Sequence, residues 1–429
     1  MESQASGVSF QIFLLKTSSV WPLQTKNQLF QTVHVFYTCF ASVLLTITSF
    51  GLVAATLFST DLKDICSTVD IATLTISGLY KLFYMRLHID RFKHLVSFLE
   101  SRMKKFVANK NGDFISVEME NPRSNLYSLM LVGSGMTISI IWAFMPFFED
   151  LEFKIRGNFT DRVDELKFPL TCWIPFDASW TPLYETIYLL EGLSFFLAAH
   201  VYLTGDSFFF MMIYQICVQM KILAKMIANI ENDTMEYSSK RITFRIESQK
   251  NKNEKDKKSL QLHQSPIPQC KVDGKAYETK LKECATFHSD LLWLMTEMEQ
   301  LYRSMILADV LHAIISLSFA LFETGTTESI VGLLKMYSFL LVCIVHQFLN
   351  SHYGEMFITA QELVREAAYN SFWYEGTINS RKYMVLILQR SKKMVIMNGG
   401  KMYHLCRASF VLFTKTLFSY YMVLRQVTE

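Results

Sequence analysis

Catalytic signatures are missing from this chain. It contains no GxxxxGK[ST], HExxH or GxSxG, so no phosphate-binding loop, zinc-protease helix or nucleophile elbow is offered, and we expect no enzyme and no cofactor. His288, Ser289 and Asp290 are consecutive, and consecutive residues on a helix point apart, which excludes a triad. The eight cysteines include no CxxC pair and indicate neither a zinc site nor a disulfide framework, although Cys66 and Cys172 are placed to meet outside a membrane. No histidine spacing suggests a metal. The net charge of +3 carries no footprint of a nucleic-acid partner. The first 30 residues hold polar side chains and Trp21-Pro22 instead of a compact apolar core, so no cleavable signal peptide is expected.

What is present in quantity is apolar surface. The chain is 51% hydrophobic and 14% aromatic, with 35 Phe, 22 Met and only 8 Pro. That is a membrane-protein composition, and its bilayer partner follows from it. Seven runs are long and apolar enough to span: 33–58, 68–85, 126–148, 185–213, 305–322, 330–349 and 405–424, the second and fifth being marginal. Connections on one side of these runs carry 33 Lys and Arg against 6 on the other, which places the N-terminus in the cytoplasm and the C-terminus outside. The expected fold is an all-α membrane protein of seven transmembrane helices. Its divisions are an arm at 1–32, four spans over 33–213, a cytoplasmic segment at 214–304, two spans over 305–349, a cytoplasmic helix in 350–404 and a last span in 405–429. Of two sequons, Asn158-Phe159-Thr160 falls outside and is the expected glycosylation site, while Asn232-Asp233-Thr234 falls inside.

The connections are not idle. The outer loop 149–184 holds three prolines and two tryptophans, a content that suits either a fold over the outer mouth or an interfacial aromatic belt. Residues 240–275 are polar and charged, and we expect no fixed structure there. From Tyr277 the pattern changes: Leu281, His288, Leu291, Met295, Met298 and Tyr302 share one helical face that runs into the fifth span. A continuous helix over 277–322 is roughly 70 Å long and must project from the bilayer. Ile358, Leu363, Ala367 and Trp373 form a second apolar side, so the long helix extensions are expected to build a cytoplasmic anchor region.

Charged or ionisable groups punctuate the apolar runs: Lys81, Glu191, His200, Asp206, Asp309, His312, Lys335, His346 and Lys415. Such groups are costly in hydrocarbon and must face water, each other or the bundle interior. Asp206 reads as a structural partner for a basic group. Along 419–426 a stripe of small and polar residues suits packing against the chain's own bundle, water or a neighbouring subunit, and the stretch alone favours the first.

In its order and spacing of motifs the chain resembles the insect odorant receptor family. HQFLNSHYGEMF at 346–357, Trp373, SYYMVLRQ at 419–426, LKECATFHSDL at 281–291 and Asp206 carry the resemblance, mostly after residue 280. It implies an odorant-sensing subunit of a heterotetrameric, ligand-gated, non-selective cation channel, partnered by an odorant co-receptor in the plasma membrane of olfactory sensory neuron dendrites. A small volatile, such as an ester or alcohol, is then expected in the outer half of the 33–213 bundle and its neighbours, against Thr73, Ser77, Gly135, Ile138, Trp142, Tyr188, Glu191, Phe195, Met336 and Tyr337. Permeating cations would pass a gate at Val423, Gln426 and Val427 on the pore-lining seventh helix. Arg425 departs from the usual apolar residue and favours the tuning subunit over the co-receptor. The alternatives are a homomeric gustatory-type channel, a G-protein-coupled chemoreceptor, which lacks its DRY-like and NPxxY-like motifs here and has the opposite charge bias, and a transporter, which lacks its repeats.

Overall fold

The computed structural model describes residues 6–23, 27–107, 122–148, 168–176, 178, 180–253, 274–326, 329–371 and 373–428. Asn158 and residues 254–273 of the charged insertion lie outside the described residues. In chain order the helices are α1 (Ser6–Thr17), α2 (Gln28–Phe58), α3 (Leu62–Leu87), α4 (Ile89–Val107), α5 (Pro122–Ala143), α6 (Leu183–Asn253), α7 (Gly274–Thr326), α8 (Ile330–Asn370), α9 (Ile378–Ser391) and α10 (Arg407–Thr428). A single 3-10 turn (Trp373–Glu375) precedes α9. Strands β1 (Asn398–Gly399) and β2 (Tyr403–His404) pair antiparallel ahead of α10. The protein is an all-α membrane protein, the hairpin aside.

Each of the seven apolar runs falls wholly or mostly on a helix: α2, α3, α5, α6, α7, α8 and α10 in turn. Among the described residues, α2, α6, α7 and α8 are long and apolar enough by themselves to cross a membrane. The fifth run was expected to be marginal, yet α7 holds the most apolar window of the four. The helices that fall short are α3, α5 and α10, of which α3 carries Asp70 and Lys81 and α10 carries Lys415. Local chemistry sets the ends. The Asn27 side chain accepts from the Leu29 N–H at 3.1 Å to open α2, and the chain turns extended at Ser59 to close it. A second difference is α6, which continues to Asn253 where no structure was expected beyond Lys240. No Pro or Gly interrupts 206–253, so no backbone breaker interrupts this part of the helix.

Two compact units emerge, one of Met1–Gln215, Met298–Glu355 and Ile396–Glu429, the other of Ile216–Glu297 and Met356–Val395. Within the first, α3 and α6 approach closely at Gly78, where an added Cβ would stand 2.8 Å from the Ala198 carbonyl oxygen. The β1–β2 turn holds Gly400 and Lys401 at positive φ, and Gly400 N–H donates to the Arg303 carbonyl of α7 at 3.1 Å. Residues 168–173 are also tied down. Trp173 N–H donates to the Gly51 carbonyl at 3.0 Å, Thr171 Oγ1 lies 3.1 Å from Thr68 Oγ1, and the Trp173 ring sits 5.5 Å from Phe58. Cys66 and Cys172 carry free thiols, both pushed up by burial and then by a neighbouring carboxylate, Cys66 to about 11.

Within the second unit Leu281, Cys284, Phe287, His288 and Leu291 are buried along α7. Thr377 caps α9, its Oγ1 accepting from Ser380 N–H at 3.2 Å. The buried side of the α8 extension is Phe357, Ala360, Val364 and Ala368. That corrects the expected Ile358, Leu363 and Ala367, of which Leu363 is exposed. The helix is turned so that Gln361 reaches residue 395: its amide donates to the Val395 carbonyl at 2.8 Å and accepts from the Val395 N–H at 2.9 Å.

Candidate ligand cavity

Gly135, Ile138 and Trp142 recur every three or four residues on α5 and therefore share a face. That face opens on a cavity of about 60 Å³. Phe195, Ala199, Tyr202 and Leu203 of α6 form a second wall, and Phe339, Val342, Cys343 and His346 of α8 a third. Leu74 of α3 with His312 and Ala313 of α7 complete it. All of these lining residues belong to the first unit. The room exists in part because residue 135 has no side chain: a Cβ there would run into Leu203 Cδ1. Aromatic rings dominate the wall, with Trp142 stacked on Phe195 at 5.2 Å and 8° between planes, and Phe339 at 5.6 Å from Trp142.

At the imidazoles the cavity meets a buried ionic cluster. Lys81 Nζ of α3 lies 2.6 Å from Asp206 of α6 and 2.7 Å from Asp309 of α7, and 3.7 Å from the centre of the Tyr202 ring. His346 Nε2 of α8 contacts the second oxygen of Asp206 at 2.8 Å. Thus one ammonium answers two carboxylates on two helices, and the arrangement survives burial only because each charge is paired. Tyr202 links the parts, its ring lying 5.2 Å from His312 and 5.4 Å from His346. The expected basic partner of Asp206 is therefore Lys81, with His346 beside it.

An aromatic cavity inside a helical bundle, resting on a paired polar cluster, is the form of a site for a small, largely apolar ligand. The sequence model described as 7tm Odorant receptor matches residues 61–418. The chain belongs to this odorant receptor family. Odorant receptor Or1 of Anopheles gambiae is 20% identical over 97% of this chain and 94% of that receptor. Odorant receptor 67c of Drosophila melanogaster is 23% identical over 63% of this chain, and the match spans only 56% of that protein's length. An odorant receptor coreceptor of Aedes aegypti is 23% identical over 33% of this chain. The solved insect olfactory receptor OR5 from Machilis hrabei, in complex with eugenol, shares the fold at a TM-score of 0.73 over 98% of this chain and 97% of that one, at 14% identity. The family is one of membrane receptors, not of enzymes.

In this odorant receptor family member, four of the ten residues expected at the ligand, Gly135, Ile138, Trp142 and Phe195, line the cavity together. The other six stand elsewhere. Thr73 Oγ1 pairs with Ser316 Oγ at 3.0 Å, Ser77 is buried away from the cavity, and Tyr188 OH donates to the Ala143 carbonyl at 2.7 Å. Glu191 is buried and accepts from the Leu170 N–H at 3.1 Å, which makes it a tether for residues 168–173. Met336 is buried outside the lining, and Tyr337 is exposed. Sequence reasoning passed over His312 and His346 as packing residues. Their four-residue and helix-to-helix relations to Ser316 and Asp206 become visible only once the helices are assembled. On α10, Val423 and Gln426 are exposed and Val427 lies in the last turn, its side chain outside the described residues.

Proposed function

We propose that this chain is the odorant-sensing subunit of a heterotetrameric, ligand-gated, non-selective cation channel that works with an odorant co-receptor. The observation that carries it is the largely apolar cavity between α3, α5, α6, α7 and α8, walled by Trp142, Phe195, Tyr202 and Phe339, whose chemistry suits a small apolar ligand. Similarity supports the tuning role, since it runs nearly end to end with Or1 but covers 33% of the chain with the coreceptor of Aedes aegypti. On this reading the N-terminus is cytoplasmic, residues 149–184 are the outer loop with sugar on Asn158, and 350–404 belong to the cytoplasmic anchor. α10 lines the pore, with Val423, Gln426 and Val427 at the gate. The exposed Val423 supports a helix whose surface is covered by other subunits, and apolar and amide rings at a constriction gate by dewetting without a fixed charge. The membrane is that of sensory neuron dendrites.

Whole-cell currents from cells expressing this chain, the co-receptor, or both, under a panel of volatiles with G-protein signalling blocked, test the proposal. A volatile-evoked cation current that requires both chains is the expected result. Current from this chain alone assigns it to a homomeric gustatory-type channel, and loss of responses under the block assigns it to G-protein signalling.

A further inference from the structure

Little of α10 is buried in its own chain. Among its described side chains only Phe413 and Leu417 are buried, so the helix takes its direction from how it starts. That start is held by α8 at two consecutive residues. Gly354 leaves room for the backbone just ahead of α10, since an added Cβ would run into the Leu405 carbonyl. Glu355 Oε2 then accepts from the N–H of Arg407, the first residue of α10, at 3.1 Å. The first N–H groups of a helix have no partner within it, and a carboxylate there meets both a donor and the positive end of the helix dipole. Phe348 of α8 adds an edge-on ring contact to Phe410 at 5.7 Å. The same α8 walls the cavity at Phe339, Val342, Cys343 and His346. Glu355 lies about 13 Å beyond His346 along that helix, with no proline between them. A shift of α8 at the cavity therefore reaches the first turn of α10 without crossing a loop.

We infer that Glu355 is a positioning residue for the gate: its carboxylate, with the bare backbone of Gly354 beside it, ties the start of α10 to α8 and carries the movement of one to the other. The inference rests on the reading of α10 as the pore-lining helix. A residue of this kind touches neither ligand nor permeating cation. Its loss weakens the response to every volatile alike and leaves the open pore as it was.

The test is a set of dose–response curves on the full chain expressed with the co-receptor, using the most effective members of a panel of straight-chain acetates and alcohols, with surface labelling and single-channel recording alongside. Glu355→Ala removes the acceptor. It is expected to raise the half-maximal concentration about fivefold, the worth of a helix cap of about 1 kcal/mol, by the same factor for each volatile and at unchanged single-channel conductance. Glu355→Gln keeps an oxygen at the same reach and should recover part of the loss. Arg407→Pro removes the N–H itself at a helix position that tolerates proline, and Arg407→Ala, which keeps it, is the reference for the lost side chain. Because the two groups form one contact, Glu355→Ala combined with Arg407→Pro is expected to be no worse than the worse single change. Additive losses overturn the inference, as do unchanged or increased sensitivity in Glu355→Ala, a shift confined to one volatile, or a loss that merely follows surface density. Val423→Cys separates the two levels. If a charged thiol reagent alters its current beyond any change in the unaltered chain, α10 lines the pore, and a flat Glu355 series counts against the inference alone. If the current is unaltered at equal surface density, the reading of α10 fails and the inference falls with it.

Discussion

Lys81 is fully buried between two carboxylates, and its removal is the most damaging single change this reading identifies. Lys81→Met keeps the volume of the stem but leaves Asp206 and Asp309 buried with no ammonium between them. Breaking such a cluster costs about 3–5 kcal/mol, so the variant is expected to lose most of its surface expression and to melt earlier in detergent. Adding Asp206→Asn and Asp309→Asn to it should recover much of the loss, and no recovery would mean that the stem's packing, not the charge, is what matters. His288 makes a different kind of prediction. Burial, and then the charge of Arg390, lowers its pKa from 6.5 to about 4, so it folds in the neutral form. A histidine with a depressed folded pKa gives stability that is whole above the unfolded value and is lost as pH falls from about 6.5 through about 4, at most about 3 kcal/mol. Thermal unfolding between pH 7.5 and 4.5 should therefore show a steeper acid loss for the natural chain than for His288→Gln. Parallel curves would assign the acid sensitivity to other groups.

At the scale of elements, contact between helices decides what periodicity leaves open. The shared face of Gly135, Ile138 and Trp142 was legible because the three-and-four spacing belongs to α5 alone. So was the run Leu281, His288, Leu291, Met295, Met298 and Tyr302, every member of which is buried along α7. The α8 extension was not, since Ile358 and Phe357 are both apolar, and only the pairing of Gln361 with Val395, 34 residues later, fixes which of them turns inward. Glu191 was read toward a ligand for the same reason: the Leu170 N–H that it holds lies across a loop whose course no local pattern reveals. Gly78 gives this scale its test. An added Cβ would press on the backbone of Ala198, which cannot rotate away, so Gly78→Val should force α3 and α6 apart at a cost of roughly 1–3 kcal/mol. Gly133→Val, at a position with open space around it, is the control for helix propensity and valine bulk, and an equal loss there would remove the close approach as the cause.

For the whole molecule, the all-α membrane architecture was readable because long apolar helices separated by charged connections leave few alternatives. Orientation is the proposal that charge alone supports, by 33 Lys and Arg on one side of the apolar runs against 6 on the other. The two sequons convert that count into a measurement. Asn158 lies in the connection poor in basic residues, while Asn232 lies on α6 beyond its apolar stretch, on the side rich in them. Oligosaccharide is added only in the lumen that becomes the outside, so endoglycosidase should increase the mobility of the natural chain and of Asn232→Gln, and leave Asn158→Gln unchanged. The reverse pattern, with sugar on Asn232, would place the end of α10 in the cytoplasm. A gate at Val423, Gln426 and Val427 would then open on the wrong face of the membrane, and the assignment of α10 as an outward-ending pore helix would fall with it.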